Sequence, residues 1–144
     1  MIKTEYGAEV FQSGFNCAQA VFSSFSEDYG LETAMACKIA GGLGSGARMA
    51  ELCGAVSGAV LVIGLKHGQG TSAEADMKLK CNVETEEFMR RFRAANGDIV
   101  CRNLLKCDIA TKDGREIAVD KGLFRTICKG LVVSAIKILI DMGY

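Results

Sequence analysis

The stretch LCGAVSGAVLVIGL, residues 52–65, decides the fold class predicted for this chain. It contains no charged residue and places small or apolar side chains on all sides of a helix. A helix without a polar face is typical of the middle of a bundle. Its 14 residues are too few to span a bilayer, which takes about 20. The stretch therefore predicts a buried core helix, in which Gly54 and Gly58 leave a groove where another backbone can approach closely.

The rest of the chain predicts further helices and no sheet. The sequence contains no proline, so glycines mark the ends of the helices. Apolar residues recur at helical spacing, and no segment alternates with a period of two. The expected fold is an all-α single domain over residues 1–144, a bundle of six or seven helices around the glycine- and alanine-rich central helix. The predicted helices cover residues 3–13, 17–29, 32–40, 49–66, 71–95, 101–106 and 119–141.

Two capping-box patterns mark the beginnings of predicted helices. Asn16 with Gln19 begins a helix at Cys17, and Thr71 with Glu74 begins the long helix. Because Cys17 follows the Asn cap directly, its sulfur is expected near unpaired backbone N–H groups at the positive end of the helix dipole. That position favours the thiolate, which is the reactive and metal-binding form. Cys17 is therefore the strongest individual candidate for a reactive thiol.

Length and charge narrow the classes of partner. A chain of 144 residues suits one domain. Its 17 Lys and Arg balance 17 Asp and Glu, and zero net charge gives no electrostatic reason to expect a nucleic-acid partner or an anionic membrane. The N-terminus has no apolar stretch of the kind found in secretory signals. The protein is therefore expected in the cytoplasm, where thiols are kept reduced.

Seven cysteines are the most informative feature of the composition. An odd number argues against a fully paired disulfide framework, and no pair has the spacing Cys-x-x-Cys. A disulfide or metal site must therefore be assembled from separate helices. Cys53 lies among small residues, which leave room for a cofactor or a second sulfur but serve close helix packing equally well. The nearby Arg48 would favour a thiolate at Cys53.

Several motifs occur in one order along the chain and carry a family resemblance. They are Gly14-Phe15-Asn16-Cys17-Ala18, the glycine-rich loop 41–46 with Arg48, Cys53-Gly54-Ala55-x-x-Gly58, Cys101-Arg102-Asn103-Leu104-Leu105, and Cys128 before Leu131-Val132. Together they resemble the C-GCAxxG-C-C family of bacterial and archaeal proteins, which are described as redox-active. The resemblance covers essentially the whole chain.

This resemblance implies a specific set of site residues. It selects Cys17, Cys53, Cys101 and Cys128 as the family's cysteines, which leaves Cys37, Cys81 and Cys107 as extras of this protein. Relatives often have proline before the last cysteine, where this chain has Ile127. The local geometry at Cys128 is therefore expected to differ from theirs.

Three function classes follow, and the sequence leaves all three open. The first is a cytoplasmic thiol redox protein, in which Cys17 is the accessible thiolate and all four cysteines serve disulfide exchange or reversible oxidation with a redox partner or small molecule. The second is a four-thiolate site for zinc or an iron–sulfur cluster. The third is a non-enzymatic helical interaction module, for which the apolar surface is compatible with a homodimer. Whether the protein is an enzyme is left open.

Overall fold

The computed structural model describes all residues, 1–144, and its chain forms helices joined by turns. There are no strands, and the only β-type pairing is an isolated antiparallel bridge between Leu52 and Val100. The predicted all-α class is therefore confirmed. The eight α-helices are α1 (Lys3–Gln12), α2 (Cys17–Ser23), α3 (Thr33–Ile39), α4 (Gly54–His67), α5 (Ala75–Asn96), α6 (Cys101–Leu105), α7 (Lys112–Asp120) and α8 (Lys129–Asp141). None of them combines the length and apolarity needed to cross a lipid bilayer.

The expected number of six or seven helices is too low, because α7 forms where the sequence predicts a polar loop through Asp113 and Gly114. The Thr111 hydroxyl accepts a hydrogen bond from the backbone N–H of Gly114 at 2.9 Å, which caps the first turn. The predicted helix 119–141 is also divided. Gly122 adopts the left-handed conformation, φ 65°, after the end of α7, and a π-helical turn, Phe124–Cys128, then leads into α8.

The predicted helix 49–66 begins only at Gly54, because the residues before it form a left-handed turn over residues 45–50. Ser45, Ala47, Arg48 and Ala50 have φ between 55° and 67°. For a non-glycine residue, the left-handed backbone conformation costs roughly 1–2 kcal/mol relative to the right-handed one. The turn is tied to α6 by Arg102, which donates to the carbonyl of Ala50 at 3.1 Å.

The apolar stretch forms α4, which packs against α2, α5 and α8. A Cβ atom at Gly58 would lie 2.6 Å from the backbone oxygen of Ala18, so α2 fills the groove that the small residues leave. Outside α4, the core is built from large side chains that are fully buried. They include Phe22, Phe25, Phe88, Phe92, Val132, Ile136 and Leu139.

The two capping-box predictions have different outcomes. At α2, the box forms: Asn16 Oδ1 accepts from the backbone N–H of Gln19, and Gln19 Oε1 accepts from the backbone N–H of Asn16, both at 2.8 Å. At α5, it does not form. The Thr71 hydroxyl bonds to the Glu74 carboxylate and not to backbone, and the helix begins at Ala75, four residues later than predicted.

Replacing Asn16 by Ala is expected to lower the free energy of unfolding by about 1–2 kcal/mol. The substitution removes the cap of α2 and the hydrogen bond from Asn16 Nδ2 to the carbonyl of Gly41, 3.1 Å long. Denaturant unfolding followed by circular dichroism measures the change. Asn16→Ser, which keeps a capping oxygen, should lose less; equal losses in both variants would contradict a capping role.

Candidate functional site

Four cysteines that are far apart in the sequence line one pocket of about 190 Å³. Each comes from the beginning of a helix: Cys17 and Cys101 are the first residues of α2 and α6, and Cys53 and Cys128 directly precede α4 and α8. All are free thiols. The structure thus brings together the four residues that the family resemblance selects.

Backbone pairing joins the two segments that carry Cys53 and Cys101. The backbone N–H of Cys53 donates to the carbonyl of Ile99 at 2.8 Å, and that of Cys101 donates to the carbonyl of Glu51 at 2.6 Å. These two hydrogen bonds flank the bridge between Leu52 and Val100. Cys53 thus lies opposite Ile99 and Cys101 opposite Glu51, so the two cysteines are diagonal neighbours across the bridge, each at the start of its helix.

The Cys17 sulfur fits against α4 because residue 54 is glycine. A Cβ atom at Gly54 would collide with this sulfur and lie 3.1 Å from the carbonyl oxygen of Leu43. The small residues at the start of α4 therefore have both of the roles that the sequence left open, close helix packing and room for a sulfur. Gly58 allows α2 to pack closely, and Gly54 makes room for a thiol.

Burial raises the pKa of Cys17, although the backbone N–H groups of Ser45, Ala18 and Gly54 act to lower it. These N–H groups match the helix-terminus environment expected from the Asn16 cap. Enclosing a charge in an apolar surrounding costs more than these donors recover. The expectation that Cys17 is an accessible thiolate stays a prediction, since its side chain is partly exposed and lines the pocket while burial favours its protonated form.

The other three thiols behave in the same way. Burial raises the pKa of Cys53 to about 12 and that of Cys101 to about 11, and it also raises the pKa of Cys128. A negative charge on Cys17 raises all three pKa values further, so the Cys17 sulfur lies within electrostatic range of each of the others. At neutral pH, the pocket therefore holds four protonated thiols, and ionising one hinders ionisation of the next.

Arg115 supplies the positive charge of the pocket, a role the sequence suggested for Arg48. Arg115 Nη2 donates to the Ser45 hydroxyl at 2.9 Å, and its guanidinium lies 5.6 Å from the ring centre of Phe124. This cation acts to lower the pKa of Cys101. Arg48 is exposed and does not line the pocket.

Sequence reasoning missed Arg115 because no helix is predicted over residues 107–118. The available indication was Thr111 with Asp113, a capping residue followed by an acid in the first turn, as is typical of a helix start. A helix predicted from this pattern would still not have indicated which of its side chains line the cysteine pocket.

The remaining walls of the pocket are mostly apolar. No carboxylate lines it, and its only other polar side chains are those of Asn16 and Ser45. Such walls favour a ligand with an apolar body. The apolar lining residues outside the cysteines are Phe11, Leu104, Leu105, Ile109, Phe124 and Leu131.

The three extra cysteines lie outside this pocket. Cys37 is on α3 and Cys81 on α5, while the Cys107 thiol donates to the carbonyl of Gly114 at 2.9 Å. No group of three or more His, Cys, Asp or Glu side chains is arranged to hold a metal ion. The zinc or iron–sulfur alternative and the homodimer both stay predictions.

Comparison with known proteins adds one match. A family model described as "Putative redox-active protein (C_GCAxxG_C_C)" matches residues 15–142, which include all four cysteines of the pocket. No curated protein and no solved structure matches the chain significantly.

Proposed function

Because this chain belongs to the C_GCAxxG_C_C family of redox-active proteins, we propose that its cysteine pocket carries out thiol–disulfide exchange. The observation that carries the proposal is that Cys17, Cys53, Cys101 and Cys128 line one pocket although they are spread along the chain. Cys37 and Cys81 lie on α3 and α5, and Cys107 packs near Cys101 without lining the pocket. We place the protein in the cytoplasm, where a reductant keeps such thiols reduced between reactions.

We assign the first attack to Cys101. Thiolates and not thiols attack disulfides, so the attacking residue benefits from a nearby cation. Cys101 has two such cations, since Arg115 and Arg102 both act to lower its pKa. Arg115 also lines the pocket, where a substrate would enter.

We assign the second attack to Cys17. Cys17 lines the same pocket, its sulfur lies against Gly54 next to Cys53, and a negative charge on it raises the pKa of each of the other three thiols. The Cys101 thiolate attacks a disulfide RSSR, forms a mixed disulfide and releases RS⁻. The Cys17 thiolate then attacks the Cys101 sulfur and releases the second RS⁻. Two protein thiols are oxidised, RSSR is reduced, and the two thiol protons finish on two molecules of RSH.

The proposal is tested by titrating the reduced protein with 2-hydroxyethyl disulfide, a small neutral disulfide, and counting free thiols by alkylation and mass spectrometry. Two thiols should disappear, and peptide mapping should place the new bond between Cys17 and Cys101. Cys17→Ser should instead accumulate the mixed disulfide on Cys101. Cys37→Ser is the matched control, and it should react as the unmodified protein does.

Two outcomes would overturn the proposal. One is that all seven thiols stay free at disulfide concentrations that oxidise a dithiol standard. The other is that the bonds formed involve Cys37, Cys81 or Cys107 and leave the pocket reduced.

A further inference from the structure

Arg115 is the only charged residue that lines the cysteine pocket, and it forms no salt bridge, although the charges of Asp108 and Arg48 act nearby on Cys101 and on Arg115 respectively. A guanidinium has five N–H donors. Within the protein, Arg115 gives one side-chain hydrogen bond, to Ser45 at 2.9 Å, and contacts the face of Phe124. Several of its donors therefore remain available to a molecule in the pocket.

The hydrogen bond between Arg115 and Ser45 places a second potential donor, the Ser45 hydroxyl, beside the guanidinium. Since the Ser45 oxygen accepts from Arg115, the hydroxyl proton of Ser45 is free to point elsewhere. A carboxylate placed on Arg115 would thus meet guanidinium N–H groups and one O–H group. Arg recognises carboxylates by paired N–H donors of this kind.

The volume and the apolar walls of the pocket indicate what the rest of the ligand is like. A cavity of about 150 Å³ lined by apolar side chains accommodates benzene, and this pocket measures about 190 Å³. Leu104, Leu105 and Ile109 form part of its apolar wall. The space therefore fits a body of about the size of a benzene ring with one additional small group.

We propose that the cysteine pocket binds a small organic carboxylate, with its carboxylate on Arg115 and Ser45 and its apolar body facing the thiols. This inference rests on the proposed function, because a carboxylate held there is taken to be part of the substrate of the thiol–disulfide exchange. A cation would be repelled by Arg115. A neutral molecule would leave the guanidinium covered without a charged partner, which is unfavourable.

Benzoate and benzamide form a matched pair of probes, because they share the ring and differ in charge. Titration followed by two-dimensional NMR or calorimetry should show that benzoate binds about tenfold more tightly than benzamide, the ratio expected for one charge-assisted contact. Backbone signals of Ser45, Leu104 and Ile109 should shift on binding.

Three variants test the role of Arg115. Arg115→Gln should bind benzoate about tenfold more weakly and lose the preference over benzamide. Arg115→Lys keeps the charge and should retain part of the preference, which guards against a folding defect in the glutamine variant. Arg93→Gln is the control: it removes an exposed arginine of α5 that does not line the pocket, and it should bind as the unmodified protein does.

The proposal is overturned if benzoate and benzamide bind equally, if neither binds, or if Arg115→Gln keeps the preference while folded by circular dichroism. These results are separable from the proposed function. The double variant Cys17→Ser, Cys101→Ser should lose disulfide exchange and still bind benzoate. Conversely, loss of benzoate binding with intact exchange would reject the carboxylate site alone.

Discussion

Gly58→Ala is expected to destabilise the protein by about 3 kcal/mol, the upper range for forcing extra volume into a packed core. The added Cβ would lie 2.6 Å from the backbone oxygen of Ala18 and 3.1 Å from its Cα atom. Backbone atoms cannot rotate away as a side chain can, so α2 and α4 must separate. Denaturant unfolding measures the loss of stability. A variant that is already unfolded in buffer also supports the prediction, and it gives a lower limit for the loss.

Gly64→Ala is the matched control on the same helix. A Cβ atom at Gly64 would have no neighbour within 4 Å. Alanine there restricts the unfolded chain and favours the helix, so the variant should be more stable by about 0.5–1 kcal/mol. Opposite signs for the two substitutions are the expected result. Destabilisation of similar size in both would mean that helix packing is not the reason for glycine at position 58.

Alkylation of Cys53 at pH 8 is expected to be about a thousandfold slower in the folded protein than in urea. Burial raises its pKa from the ordinary value of 9.0 to about 12. At pH 8, the thiolate fraction thus falls from roughly 10% to roughly 0.01%. Iodoacetamide labelling with peptide mass spectrometry measures the rate, which should still increase with pH above pH 9 in the folded protein. A rate that levels off near pH 9 would contradict the raised pKa.

The same shift makes stability depend on pH in a definite direction. Below pH 9, Cys53 is protonated in the folded and the unfolded chain, so it contributes no pH dependence. Between pH 9 and its folded pKa of about 12, only the unfolded chain releases the proton. The free energy of unfolding should therefore fall as pH rises, by about 1.4 kcal/mol per pH unit for one such thiol. Cys53→Ser should show a shallower decline, and equal slopes would contradict this assignment.

Much of the helical structure could be predicted from short segments of sequence. The hydrogen bonds that start α2 join Asn16 and Gln19, three residues apart, so the capping pattern is sufficient to locate them. The same reasoning failed at Thr71, because its hydroxyl donates to the Glu74 carboxylate and does not accept from a backbone N–H group. The error at α7 has a similar origin, since Gly114 was interpreted as a loop residue while Thr111 caps it within a helix.

The candidate site was only partly predictable. The resemblance to the family, carried by the order of motifs, implied the four cysteines, and no local pattern showed that their thiols share a pocket. Arg48 was the expected cation because it lies close to Cys53 in sequence. In the structure, the left-handed turn over residues 45–50 leaves Arg48 exposed, and Arg115 enters the pocket from α7.

By itself, the sequence determined the all-α class, the Asn16 cap and the family to which the chain belongs, because these depend on contacts within a few residues or on the order of motifs. Only the tertiary structure decided that the four thiols line one pocket, that burial raises their pKa values, and that Arg115 is the cation beside Cys101. The physical reason is that a pKa and a pocket depend on what surrounds a side chain in space. For Cys17, the backbone N–H groups expected from its helix position are present, and the apolar surroundings that outweigh them come from residues far along the chain.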